Sequence, residues 1–328
     1  MIANLPLTCP DLQEVFLYDL QQDPVTIRAV SHLVTTTRGV LRSFFVDSSL
    51  THEAADILYK SPHLCEVRTV IDGLTSLPTM ELPNLTRMQI EFYHCHGWLQ
   101  GFHGASFGEL DCLSFYSKSK PIDGFLEAFE QVALTTSIPT TLSTFRFYTA
   151  CSWRPRYRSL LRFAHLTMLD IKFSCTRGCS STIDDDTITD LAQALHKLES
   201  LSLGGPPCEA STGVTAKGLS ALAHYCPHLS HLCIHFQITA LNPPAALIPA
   251  SSSKSRKGCV LTFLDVGDIQ VPEESMLMVA LTLLRIFPNL EHISYSHIGW
   301  REVADAIRSS KKVVSCSSKD HTIRYASN

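Results

Sequence analysis

The sequence predicts an α/β solenoid in which parallel strands alternate with helices along the chain. Three observations predict it. A short apolar pattern recurs eleven times, and segments with helical spacing lie between its copies. In addition, 45% of the 328 residues are hydrophobic and only 18% are charged. This composition supplies enough apolar surface for a folded core and argues against a disordered chain.

The recurring pattern is an apolar residue, two further residues, a second apolar residue, one further residue and a third apolar residue. Such a segment points alternate side chains inward, as a strand requires. Its copies start about 28 residues apart, which is within the range of leucine-rich repeats. The eleven copies are Leu12-Val15-Leu17, Leu41-Phe44-Val46, Leu64-Val67-Thr69, Leu85-Met88-Ile90, Leu110-Leu113-Phe115, Leu142-Phe145-Phe147, Leu166-Leu169-Ile171, Leu198-Leu201-Leu203, Leu229-Leu232-Ile234, Leu261-Leu264-Val266 and Leu290-Ile293-Tyr295.

This pattern predicts a leucine-rich-repeat solenoid of about eleven repeats. A curved parallel sheet would form its concave side and helices its convex side, so that each repeat buries its apolar face against its neighbours. A doubly wound α/β sheet also alternates strands with helices and is the alternative. That alternative does not require one leucine template at every strand, so the solenoid is preferred.

Helices are predicted where apolar residues recur every three or four positions. Residues 183–197 fit this spacing behind Asp184, Asp185 and Asp186, and acidic residues suit the first turn of a helix. Thr215 is the predicted N-cap of a helix over residues 217–225, and residues 272–287 form another. Further helices are predicted over residues 25–35, 51–60, 124–134 and 157–163.

The repeats are predicted to form one domain over residues 1–328. They span about residues 12–298, with one interruption at residues 239–260. Pro, Ser and Ala dominate that segment, so we expect a disordered loop where a helix should lie. Residues 299–328 are predicted to be a C-terminal capping helix, over residues 300–309, and a polar tail from Lys311.

Charge and apolar runs exclude several classes of partner. The chain has 27 Lys and Arg against 31 Asp and Glu, with a net charge of −4, so we do not expect nucleic acid as a partner. The longest apolar stretch, residues 276–284, is less than half of a membrane span. No secretory signal is recognised, so we expect a cytoplasmic and/or nuclear protein whose 12 cysteines are reduced thiols.

Two motifs suggest catalysis or metal binding, but each lacks the surroundings that such a site requires. Residues 104–108 match the Gly-x-Ser-x-Gly elbow of α/β hydrolases, the alternative function, but the elbow needs a strand before the serine and a helix after it. Residues 224–235 hold four histidines and two cysteines without two separated ligand pairs held by turns, which zinc usually needs. We therefore predict no catalytic residue, no metal site and no cofactor, and a protein that is not an enzyme.

The predicted function depends on the residues that project from the concave face of the strands. Aromatic and arginine residues at such positions are the usual energetic anchors of protein interfaces. Glu14, Phe16, Tyr18, Glu66 and Glu91 project from this face. The residues that we predict to bind a partner protein are Arg68, Arg87, Gln89, Tyr116, Arg146, Tyr148, Asp170, Lys172, His231, His235 and Asp265.

Several segments resemble cysteine-type leucine-rich repeats. They include Leu82-Pro83-Asn84-Leu85, Thr215-Ala216-Lys217-Gly218-Leu219 and the Cys-Pro-x-Leu steps at residues 9–12 and 226–229. Over about residues 12–310 the chain is similar to the repeat region of fungal F-box proteins. The resemblance implies a subunit that recognises substrates for a Skp1–cullin–F-box ubiquitin ligase. Residues 5–8 lead directly into a repeat and we find no F-box, so a Skp1-type adaptor is expected only if an F-box is supplied elsewhere.

Overall fold

The chain divides into two compact units, each of which contains parallel strands and helices. The first comprises Met1–Ser181 with Cys208–Ala210, and the second Thr182–Pro207 with Ser211–Asn328. The α/β class with parallel strand pairing is thereby confirmed. The computed structural model describes residues 2, 5, 9, 11–37, 39–71, 80–92, 105–117, 129–130, 138–150, 157–174, 183–204, 213–237, 259–267 and 269–317.

The first unit is rich in strands. The strands of its described residues are β1 (Glu14–Leu17), β2 (Ser43–Ser49), β3 (Glu66–Ile71), β4 (Glu81–Leu82), β5 (Arg87–Phe92), β6 (Ser106–Phe107), β7 (Cys112–Ser117), β8 (Thr144–Ala150) and β9 (Met168–Ser174). Its helices are α1 (Pro24–Thr36), α2 (His52–Leu58), α3 (Ile138–Thr141) and a 3₁₀ helix (Tyr157–Arg162). The parallel order is β1-β2-β3-β5-β7-β8-β9, and β4 pairs only with β6 among the described strands.

The second unit has shorter strands and longer helices. Its described strands, which pair in parallel in chain order, are β10 (Ser200–Leu203), β11 (His231–Ile234), β12 (Phe263–Asp265) and β13 (His292–Ser294). Its helices are α4 (Asp185–Ala194), α5 (Ala216–Tyr225), a 3₁₀ turn (Glu273–Ser275), α6 (Met276–Ile286) and α7 (Gly299–Ser317).

The apolar template residues form the core of both units. In the nine copies from Leu41 to Val266, all three template side chains are at most 1% exposed. The first and last copies are less buried, since Leu12, Leu17, Ile293 and Tyr295 keep part of their surface accessible. Neighbouring copies align in register, as Val67 does with Met88 and Leu113 does with Phe145. The template therefore predicts the buried side of the strands.

An aromatic cluster fills part of the core of the first unit. Phe129 stacks on Phe145 and Phe163, with ring centroids 5.2 and 5.5 Å apart, and meets the edge of Phe115 at 5.8 Å. All four side chains are fully buried. Rings of this size contribute a large part of core stability, and their offset and edge-to-face contacts add to it.

Helix α5 begins at the predicted N-cap, since Thr215 accepts a hydrogen bond from Lys217 N. Of the three acidic residues predicted for the first turn of α4, Asp185 and Asp186 lie in that turn, and Asp184 is the N-cap, which accepts a hydrogen bond from Thr187 N. At the end of α4 the Cys226 thiol donates to the carbonyl groups of Ala192 and Leu195, at 3.6 and 3.7 Å. These carbonyl groups belong to the last turn and its cap, which a helix cannot satisfy internally.

Two helical segments differ from the sequence prediction. A 3₁₀ helix covers Tyr157–Arg162 of the predicted segment 157–163. The buried residues Tyr157, Leu160 and Phe163, the last of which directly follows this helix, are spaced by three, the period of a 3₁₀ helix. The last helix runs on to Ser317 instead of ending at residue 309, since no Gly or Pro interrupts residues 300–317. Most of the predicted helix 124–134 and of the predicted loop 239–260 lies outside the described residues.

Candidate binding face

The outward-facing side chains of β3, β5, β7, β8 and β9 lie in columns across the strands. One column is Arg68, Gln89, Ser114, Arg146 and Asp170, and the next is Val70, Glu91, Tyr116, Tyr148 and Lys172. Neighbouring strands of a sheet are about 4.8 Å apart, so side chains in one column can contact each other. We use "polar face" for the connected residues Tyr18, Asp47, Arg68, Gln89, Glu91, Tyr116, Arg146, Tyr148, Asp170 and Lys172.

Arg68 organises the β2–β5 end of the polar face. Its Nη2 lies 2.6 Å from Glu91 Oε1 and 2.9 Å from Asp47 Oδ1, and its Nε donates to the same Glu91 oxygen at 3.2 Å. Gln89 also donates to Glu91, and the guanidinium carbon lies 5.8 Å from the centre of the Tyr18 ring. Glu91 is only 4% exposed, so burial strengthens its ion pair with Arg68. Two carboxylates against one guanidinium leave this end with a net charge of −1.

Stacked tyrosines form the middle of the polar face. The planes of the Tyr116 and Tyr148 rings are nearly parallel, at 4°, and the ring centroids are 4.6 Å apart. The Tyr148 hydroxyl donates to Asp170 Oδ2, which also lies 3.6 Å from Lys172 Nζ. Burial raises the pKa of both tyrosines, and for Tyr148 the hydrogen bond to Asp170 raises it further. Both hydroxyls therefore stay protonated at neutral pH and can donate hydrogen bonds.

Arg146 is the least satisfied residue of the polar face. Its Nη2 lies 3.3 Å from the thioether sulfur of Met168, which is a weak acceptor. Its Nε is buried, and neither this atom nor Asp170 Oδ1 has a hydrogen-bond partner among the residues that the structure describes. Within the part of the chain that the structure describes, Arg146 forms no ion pair. Both unsatisfied atoms belong to residues that are opposite each other in the register of β8 and β9.

The structure brings together seven of the eleven residues predicted to bind a partner. They are Arg68, Gln89, Tyr116, Arg146, Tyr148, Asp170 and Lys172. Arg87 belongs to the same unit but to an outer column, where it is largely exposed and its Nη1 lies 3.8 Å from Glu66 Oε1. Sequence reasoning missed Asp47, although it is two residues after Phe45 and the alternation of β2 would have put it on the outward side.

The remaining three predicted residues belong to the second unit. His231 is exposed, its Nδ1 lies 2.8 Å from Ser230 Oγ, and its ring centroid is 5.7 Å from that of Phe263. His235 is half-buried and packs beside Gly267. Asp265 accepts a hydrogen bond from Gly267 N at 3.0 Å. These contacts occupy the three side chains locally, and we describe them apart from the polar face.

The described residues add no second site to the polar face. Ser106 lies in strand β6, which pairs with β4 and leads into a turn instead of a helix, so the backbone lacks the strand–serine–helix order of a hydrolase elbow. Among these residues no group of three or more His, Cys, Asp or Glu side chains could hold a metal ion. Nor does this part of the chain contain a helix with the length and apolar character needed to cross a membrane.

Comparison with known proteins gives no family. No protein-family model matches the chain, and no curated protein matches it. The fold class and the polar face are therefore the two properties from which a function can be argued.

Proposed function

We propose that the chain is a non-catalytic scaffold that binds a partner protein on the polar face. The observation that carries this proposal is the set of tyrosine, arginine and acidic side chains that extends across six parallel strands, from β2 to β9. Tyrosine and arginine are enriched among the residues that dominate binding energy at interfaces. Side chains on strands of a sheet are also held more accurately than side chains on loops, which lowers the entropy lost on binding.

The finer fold in this proposal is a leucine-rich-repeat solenoid with the polar face on its concave side. Burial of the template side chains in nine successive copies supports it. In a solenoid each repeat adds one strand to a continuous surface, so one partner can contact residues from several repeats at once. Residues that are far apart in sequence, such as Tyr18 and Lys172, would then act on the same partner.

The partner class in this proposal follows from the resemblance to the repeat region of F-box proteins. We infer that the partner is a protein substrate destined for ubiquitination in the cytoplasm and/or nucleus. A Skp1-type adaptor takes part only where an F-box is supplied elsewhere. No cofactor is needed, because recognition uses hydrogen bonds, ion pairs and aromatic contacts of the chain itself.

The side chains of the polar face are suited to different parts of such an interface. The stacked Tyr116 and Tyr148 rings offer a rigid apolar surface with hydroxyl groups at its edge, which can fill a pocket on the partner. The half-buried ion pairs with Asp47 and Glu91 hold the Arg68 side chain in place, so Arg68 contributes less directly to the binding energy. We therefore expect the β7–β9 part of the face to carry most of the binding energy.

The double variant Arg146→Glu, Tyr148→Ala tests this proposal. Both side chains face outward, so the variant should keep its fold, as measured by circular dichroism. Proteins that co-purify with the tagged wild-type chain should fall by at least about ten-fold with the variant, since two anchors are lost. Quantitative mass spectrometry measures this change.

The matched control is Arg28→Glu, which reverses the charge of an exposed arginine on helix α1. This control should retain every specific partner. If the double variant also keeps its partners unchanged, the polar face is not the binding surface and the proposal is wrong.

A further inference from the structure

We propose that the β8–β9 end of the polar face binds a carboxylate side chain of the partner, and that Arg146 holds this carboxylate. The inference rests on the proposed function, since it names the chemistry that the partner must present. Its starting point is the unequal satisfaction of the two arginines of the polar face. Within the described ranges, Arg68 has two carboxylate partners, whereas Arg146 has only the sulfur of Met168.

The Nε–Nη2 edge of Arg146 has the geometry that a carboxylate requires. The Nε and Nη2 atoms form one edge of the planar guanidinium group, and a carboxylate can accept one hydrogen bond from each. Among the described residues Nε has no acceptor, and Nη2 contacts only a thioether. A half-buried guanidinium edge without an oxygen acceptor is costly, so an acid that satisfies both atoms gains affinity.

Asp170 is opposite Arg146 but is directed elsewhere. Its Oδ2 accepts the hydrogen bond of the Tyr148 hydroxyl and lies within ion-pair distance of Lys172 Nζ. These two contacts hold the carboxylate on the column of Tyr148 and Lys172, and it forms no ion pair with Arg146 among the described residues. The positive charge of Arg146 therefore remains available for a group from outside the chain.

The charges of the polar face favour a singly charged acid at this end. Arg146 and Lys172 against Asp170 leave a net charge of +1, whereas Asp47 and Glu91 against Arg68 leave −1 at the other end. A single carboxylate neutralises the β8–β9 end. A doubly charged phosphate would exceed this charge of +1 and would be repelled by the neighbouring carboxylate of Asp170. Charge complementarity thus selects Asp or Glu over a phosphorylated residue.

The neighbouring side chains allow the acid to reach Arg146. The thioether of Met168 contacts Nη2 in the free chain, so a carboxylate that binds both Nε and Nη2 has to displace it. Methionine side chains have three rotatable bonds and adapt easily, which makes this rearrangement inexpensive. The stacked Tyr116 and Tyr148 rings beside Arg146 can cover the methylene groups of the incoming acid.

Binding of the purified full-length chain to a random peptide array tests the inference. Peptides of about ten residues reach about 33 Å when extended, which is longer than the width of about 24 Å across the six strands of the polar face. Peptides bound by the wild type should be enriched in Asp and Glu. Arg146→Gln should bind the best acidic peptide about ten-fold more weakly, a loss of about 1.4 kcal/mol.

Three further proteins or peptides make the result specific. Arg146→Lys keeps the charge but not the two-pronged edge, so its affinity should fall between those of the wild type and Arg146→Gln. Arg28→Gln should bind as the wild type does. An acidic peptide whose key residue is replaced by phosphoserine should bind no more tightly than the parent peptide.

The outcomes separate failure of this inference from failure of the proposed function. If the wild type selects peptides without an acidic preference, or if Arg146→Gln binds acidic peptides as tightly as the wild type, the inference is overturned while the binding face stands. Tighter binding of the phosphoserine peptide overturns the preference for a single charge. If no peptide binds, the inference also fails, and co-purification with the double variant decides the proposed function independently.

Discussion

The two units of the chain use their polar side chains in different ways. In the first unit the residues of the polar face, apart from Tyr18, lie on strands of six or seven residues, and the guanidinium edge of Arg146 has no oxygen acceptor among the described residues. In the second unit the described strands have only three or four residues, and the main polar network lies between helix N-termini. The proposed function therefore assigns partner binding to the first unit, whereas the described polar network of the second unit connects its helices.

Asp184, Asp185 and Asp186 show how the second unit satisfies its polar groups internally. Asp184 caps its own helix α4, and hydrogen bonds from Thr187 keep the pKa of its carboxyl group below the ordinary value. Asp185 serves the next helix, since its carboxylate accepts hydrogen bonds from Thr215 N, Thr215 Oγ1 and Gly218 N at 2.7, 2.6 and 2.9 Å. Asp186 Oδ1 lies 3.0 Å from Lys217 Nζ at the surface.

The largest loss of stability is expected for Phe145→Ala, in the core of the first unit. This variant tests whether the residues that stabilise the first unit differ from those that bind the partner. Removing a fully buried ring from the Phe115–Phe129–Phe163 cluster leaves a cavity and should cost about 3–5 kcal/mol of unfolding free energy. Urea unfolding followed by circular dichroism measures this loss.

Tyr148→Ala is the matched control for that experiment, because it removes an aromatic ring three residues along the same strand but from the outward face. It should cost less than about 1 kcal/mol of stability while weakening partner binding. Equal losses of stability for the two variants would contradict the separation between the buried and outward sides of β8.

A smaller loss of stability is expected for Asp185→Ala, which tests whether the polar network of the second unit stabilises its helices without affecting binding. The variant leaves the N–H groups of Thr215 and Gly218 without their acceptor at the start of α5. It should lower the unfolding free energy by about 1–3 kcal/mol, measured by urea unfolding, without changing partner binding on the polar face.

The adjacent Asp186→Ala is the control for Asp185, since it removes only an exposed ion pair with Lys217. Such pairs contribute less than about 1 kcal/mol, so this variant should unfold nearly as the wild type does. A loss as large as that of Asp185→Ala would show that charge at the helix start matters, and not the specific hydrogen bonds to the next helix.

Much of the fold could be predicted from the sequence because its determinants are local. The template leucines alternate with polar residues at the period of a strand, and Thr215 stands directly before the helix that it caps. The 3₁₀ helix at residues 157–162 was harder, because a spacing of three between buried residues also fits an α-helix over so short a segment.

The polar face was predictable in its residues but not in its contacts. Alternation along the strands identified Arg68, Tyr116, Arg146 and Tyr148 as outward residues. Which acid pairs with which base depends on register across the strands, on side-chain length and on the unpredicted position of Asp47. The same holds for Asp185, whose partners are 30 or more residues away in the sequence.

The most direct test of a binding role for the first unit is site-specific photo-crosslinking. The full-length chain would carry p-benzoyl-phenylalanine in place of Tyr116 on β7 or, as the control, in place of Leu281, which is 49% exposed on α6 of the second unit. Irradiation with a partner that the wild type retains and the Arg146→Glu, Tyr148→Ala variant loses should crosslink that partner from position 116 and not from position 281. Crosslinking from position 281 alone would contradict the account and move the binding surface to the second unit.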